Sequence, residues 1–152
     1  MKKKQLTGKQ VHSKVVRRLR SSDKLNHLER FAMFMGKAQL VEMALKHLLM
    51  TRYGYSEQKI ERWPLGQLVK ELKAIGLRRD FIALLEELVR YRNHIAHDLL
   101  LDYALMQRLG QSKAAHRLSL KPLERGLYMV EQTIVVHDFL VSNKISLRAR
   151  AR

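Results

Sequence analysis

The chain is expected to be all-α: an antiparallel four-helix bundle with short extra helices and basic N- and C-terminal tails. Three observations lead there. Apolar residues recur at three- and four-residue intervals in four separate stretches, no stretch alternates with the period of two that a half-buried strand needs, and only two prolines interrupt 152 residues. Four amphipathic stripes joined by mostly short connections can bury one another by converging on a single core. The expected organisation is a basic extension over 1–21, the bundle over 22–143 and a basic tail over 144–152.

The first helix is expected over 24–52, with Phe31, Phe34, Met35, Ala38, Val41, Leu45 and Leu49 on its stripe and Ser22 or Asp23 as its cap. Residues 53–63, with Gly54 and a mixed polar run, read as a connection. Pro64 suits the first turn of a second, short helix, LGQLVKELKAI, which Gly76 stops. A third helix runs from about Asp80, a candidate cap, through Phe81, Leu84, Leu85, Leu88, Ile95 and Leu99. A polar segment, roughly Gly110 to Ser119, precedes a fourth along Leu120, Leu123, Leu127, Val130, Ile134 and Val141.

A chain of this length can bury a core without disulfides or metals. It has no cysteine, which excludes disulfides, thiolate metal sites and cysteine nucleophiles and fits a reducing cytoplasm. The basic start is followed by neither a signal-peptide apolar region nor an uninterrupted apolar span of about 20 residues, so no membrane association is expected. The net charge of +16 sits mainly at the ends. Lys2, Lys3, Lys4, Arg17, Arg18 and Arg20 stand in an N-terminal stretch without acids, and Arg148, Arg150 and Arg152 in a C-terminal one. Such ends can neutralise phosphates without reading sequence, which points to RNA contact; solubility is the bland alternative.

Two charges fall inside apolar stripes. At about 100° per residue, with Leu88 at zero, Phe81 and Leu99 lie near +20°, Ile95 near −20° and Arg92 near +40°, so Arg92 is on the core stripe. A guanidinium keeps its charge at any ordinary pH, and burying it demands an anion or an opening to solvent or ligand. Glu42 lies on the first helix's stripe and is the internal candidate to brace Arg92; snorkelling of one or both is the alternative. His97, five residues beyond Arg92, is about 140° round and 7.5 Å along an ideal helix, whereas Asn93 and His97 share the opposite face. Either the helix distorts or ends between Arg92 and His97, or a second subunit completes the site.

Arg92, Asn93 and His97 form R-N-x-x-x-H near the end of the third of four helices. In this the chain resembles the higher eukaryotes and prokaryotes nucleotide-binding (HEPN) domains, over about residues 24–143 in helix order. The resemblance implies metal-independent RNA cleavage in a toxin–antitoxin or phage-defence setting, by a homodimer whose two motifs face one another, with an antitoxin protein as a further partner. Arg92 and His97 would be catalytic and Asn93 supporting. Members paired with a nucleotidyltransferase antitoxin often carry tyrosine two residues after the histidine, where this chain has Leu99. The chemistry suits the residue types. Histidine, with an ordinary pKa near 6.5, can take the 2′-hydroxyl proton or protonate the 5′-oxygen, and arginine can hold the phosphate bidentately. Other members of the family have lost catalysis, and the competing reading is a non-catalytic nucleic-acid-binding, regulatory or scaffold module.

No cofactor or metal is expected. The chain has no phosphate loop, no G-x-G-x-x-G and no G-x-S-x-G. His94 and His97 could meet on one helix, but spacing supplies no third ligand. His137 beside Asp138 is a candidate auxiliary base or a hydrogen-bonded core histidine. Tyr53, Tyr55 and Trp63 are candidates to stack bases or to pack on the bundle end.

Overall fold

The computed structural model describes residues 5–109, 113–145 and 147, without the side chains of 98–100, 102, 103, 106, 109 and 113–120. The described residues are all-α. The order is α1 (Gly8–Leu19), a 3₁₀ turn (Arg20–Ser22), α2 (His27–Tyr53), the short α3 (Glu57–Ile60), α4 (Leu65–Ile75), α5 (Arg79–His94), a π-helical turn (Ile95–Leu99), α6 (Leu100–Leu109) and α7 (Lys113–Ser142). No helix among the described residues is long and apolar enough to cross a membrane.

Residues 8–19, expected within an extension, form a helix because Thr7 and Gln10 close a capping box. The Gln10 amide donates to Thr7 Oγ1 at 3.3 Å and the Thr7 amide to Gln10 Oε1 at 2.9 Å. The first bundle helix starts later than expected. Asn26 and Glu29 exchange the same reciprocal pair at 2.9 Å, which fixes the start at His27, while the Ser22 hydroxyl donates to the Leu19 carbonyl. Gly54 and Gly76 stop α2 and α4 in the left-handed conformation, φ 70° and 92°. Pro64 is the cap of α4, one residue before its first turn, and Arg78, not Asp80, is the cap of α5. The segment expected as polar linker is helical from Lys113, and α7 carries Pro122 in its interior.

Helices α2, α4, α5 and α7 close a ring of contacts around one core. Its centre is Phe34, Leu45, Leu49, Leu68, Leu72, Phe81, Leu85, Leu88, Leu127 and Val130, all buried. Each such side chain contributes about 1.5–3 kcal/mol by leaving water, enough to offset the entropy of ordering it. The stripes fall largely as expected, with Phe31, Met35, Leu84 and Ile134 half-buried at their edges. The side chains of Leu99 and Leu120 lie outside the described residues. Val141 departs: it is exposed, and Leu140 is buried instead. Lys144, at φ 51°, turns the chain back so that the Ile145 amide reaches the Leu140 carbonyl at 2.9 Å, which covers that side of the last turn. The Arg78 amide then donates to the Leu147 carbonyl at 2.7 Å.

α1 lies outside this ring, against α7, with Val11 and Val15 packed on Val135. α7 is therefore buried on two flanks, by the bundle and by α1.

Candidate functional site

The third stripe carries Arg92 to the edge of the core. Leu88 and Ile95, one turn to either side of it, are fully buried, while Arg92 itself is half-buried. Its Nη1 donates to Asn93 Oδ1 at 3.4 Å, a long bond to a neutral group. No carboxylate among the described residues pairs with it. The expected brace from Glu42 is not formed: Glu42 Oε1 accepts from Lys46 Nζ at 3.0 Å, and the same ammonium donates to the Glu61 carbonyl at 2.7 Å. A partner four residues along the same helix is reached without spanning the bundle, which favours it over a guanidinium on another helix.

The backbone does distort between Arg92 and His97. The Ile95 amide is shared between the Tyr91 and Arg92 carbonyls, and from Ile95 the chain follows the wider π pattern, in which hydrogen bonds close at i+5. More than four residues then complete a turn and each step rotates less than 100°, so His97 lies nearer the Arg92 face than the 140° of an ideal α-helix. The two side chains share no hydrogen bond. Asn93, His94 and His97 are exposed, leaving a half-buried cation beside an exposed imidazole and amide.

The π turn rests on α7. A Cβ added at Gly126 would meet Ile95 Cδ1 at 2.5 Å and Phe34 Cε2 at 3.1 Å. Glycine leaves room for the Ile95 and Phe34 side chains here, which a larger residue would force to shift. Sequence reasoning passed over it, since a lone glycine within a helical pattern carries no sign of what approaches it.

Glu131 was missed as well. It is fully buried in α7, where Oε2 accepts from Arg18 Nε at 2.5 Å and Oε1 accepts from Lys37 Nζ. Burial first, and the Arg18 guanidinium second, push the Lys37 ammonium below its ordinary range. Arg18, expected to contact RNA, is thereby engaged internally. Val11, Val15 and Leu19, repeating at four residues, mark one apolar face on α1, but not the helix that covers it.

Arg17 and Arg20 are exposed. Lys2, Lys3, Lys4, Arg148, Arg150 and Arg152 lie outside the described residues. His137 is half-buried, with Nδ1 3.3 Å from Asp138 Oδ1 and its ring 6.2 Å from that of Phe81. Tyr55 and Trp63 pack edge to face at 6.1 Å on the bundle, and the Tyr55 hydroxyl donates to Glu71, a bond that, with burial, raises its pKa above the ordinary value. Tyr53 is half-buried against the same core. These aromatics are occupied by packing rather than offered as stacking faces. No family model, curated protein or solved structure matches this chain.

Proposed function

We propose that the chain is a cytoplasmic, metal-independent endoribonuclease of the HEPN type, with Arg92 and His97 catalytic, Asn93 supporting and a toxin–antitoxin or phage-defence role. One observation carries this reading. Arg92 is held half-buried on the core stripe with no carboxylate partner among the described residues, a cation that a phosphate would neutralise, and the π turn that begins three residues later carries the exposed His97. π turns gather at functional sites because the bulge re-aims side chains at some cost to the helix.

His97 would accept the 2′-hydroxyl proton or donate to the departing 5′-oxygen, and Arg92 would hold the scissile phosphate and the charge that builds on it. The products are a 2′,3′-cyclic phosphate and a 5′-hydroxyl. DNA, without a 2′-hydroxyl, is not cut.

A homodimer joins this reading through α6. Leu101 and Leu105 are 59% and 47% exposed, four residues apart on one face, on the helix that begins directly after the π turn. A second copy covering them would bring its own motif close to the first.

Purified protein incubated with RNA in EDTA, beside His97→Ala, tests the function. Cleavage that the substitution abolishes supports it. No cleavage of any RNA, or cleavage indifferent to the substitution, leaves a binding or scaffold module.

A further inference from the structure

α1 has two faces with different surroundings. Val11 and Val15 are buried on α7, and Arg18 is engaged with Glu131. At about 100° per residue, Lys9, Ser13, Arg17 and Arg20 fall within roughly 80° of one another on the side away from Val15, and all four are exposed. Arg20 belongs to this face because its φ of −55° and ψ of −30° continue the right-handed path past the end of the helix. Residues 8–20 contain no acid.

We propose that this outward face of α1 is a phosphate-binding rail for the backbone of an RNA strand, separate from the Arg92–His97 motif. The dimensions fit. From Lys9 to Arg17 the helix rises about 12 Å and Arg20 adds about 4 Å. That length lets the rail follow a few successive phosphates of one strand. Ser13, between the cations, adds a neutral donor of the kind that binds phosphate oxygens. The capping box, the valine contacts and the Glu131 clamp hold the backbone that carries these charges, so little backbone entropy is left to be lost on binding.

The same packing argues for a nucleic acid over a lipid surface. A basic amphipathic helix binds a membrane by sinking its apolar face among acyl chains. In α1 that face is already covered by α7.

The rail and the motif stand on different flanks of α7. Gly126 faces Ile95, while the Tyr128 hydroxyl lies 2.8 Å from His12 Nδ1. Two residues turn a helix by about 200°, which sets the two contacts on nearly opposite sides of a rod about 10 Å across. The rail therefore anchors a strand at a distance from the motif, and it favours substrates several nucleotides long. The choice of RNA rests on the ribonuclease reading; phosphate recognition does not.

The test is the anisotropy of a labelled 2′-O-methyl RNA 20-mer, which cannot be cut, titrated with the full chain over a range of salt. Lys9→Gln, Arg17→Gln and Arg20→Gln together should weaken binding at least tenfold and reduce the slope of log K against log salt by about 2, at ~0.7 per single-strand phosphate contact. Glutamine retains helix propensity, and circular dichroism checks that α1 is intact. Arg18→Gln should leave the slope unchanged, as should removing three exposed charges elsewhere through Arg52→Gln, Arg62→Gln and Lys70→Gln. The rail is refuted if the α1 triple variant keeps the wild-type slope, if the distant triple variant loses as much, or if the α1 variant loses binding only to phosphatidylserine vesicles. None of these results bears on whether His97→Ala abolishes cleavage, so the two readings fail separately.

Discussion

Ile95 packs directly over Gly126, with its Cδ1 2.5 Å from where a Cβ would stand. Ile95 is fully buried and opens the π turn, so this contact joins the packing of α7 to the spacing of Arg92 and His97.

Gly126→Ala should destabilise the fold by about 1–3 kcal/mol through overpacking against Ile95 and Phe34. Ile95→Val removes the clashing methyl. The double variant should therefore be more stable than the sum of the two single effects by at least about 0.5 kcal/mol in urea unfolding. Strict additivity would mean that the two residues do not share this contact.

Arg92→Met should keep or raise stability, by up to about 1 kcal/mol, while abolishing RNA cleavage. A half-buried guanidinium with no carboxylate partner among the described residues costs desolvation, and an unbranched apolar side chain in its place removes that cost. Thermal unfolding beside a cleavage assay checks this. A loss of more than about 2 kcal/mol would make Arg92 a structural residue.

Glu131→Gln should cost about 1–3 kcal/mol, since it leaves Lys37 half-buried beside Arg18 without a carboxylate. The effect should concentrate in α1. Hydrogen exchange at its amides is expected to rise well before that of α5, because α1 is held by few apolar side chains outside the main core.

Acid should weaken the start of α5. The Arg78 guanidinium grips Asp80 through two bonds of 2.6 and 2.5 Å and, as the largest cause, holds its carboxyl below the ordinary range. A folded-state value below the unfolded one gives stability that is complete above about pH 4 and is lost as pH falls through the folded value. The difference in urea midpoint between wild type and Asp80→Asn should be flat above pH 5 and shrink towards pH 3.

The bundle was legible where its signal is local. Phe34, Val41, Leu45 and Leu49, like Phe81, Leu85 and Leu88, repeat at helical spacing, and Gly54 and Gly76 stop helices by a conformation other residues adopt with strain. α1 was obscured because its buried valines stand among Lys9, Lys14, Arg17 and Arg18, so its charge pattern read as a basic extension. The angular count showed that Arg92 and His97 needed either a helix distortion or a second subunit to form one site, but not which, nor what form a distortion takes. The turn rests on α7 at Gly126, distant in sequence, a contact no local pattern announces. Glu131 was hidden for the same reason, since a carboxylate beside Val130 reads as surface until a second helix covers it.

The most direct measurement uses a DNA oligonucleotide carrying a single ribonucleotide, incubated with the full chain in EDTA. Expected is one cut, 3′ to the ribose, leaving a 2′,3′-cyclic phosphate, abolished by His97→Ala and by Arg92→Met. Cutting of the all-DNA control, a product without the cyclic end, or cleavage unaffected by either substitution would contradict the assignment of Arg92 and His97 to catalysis.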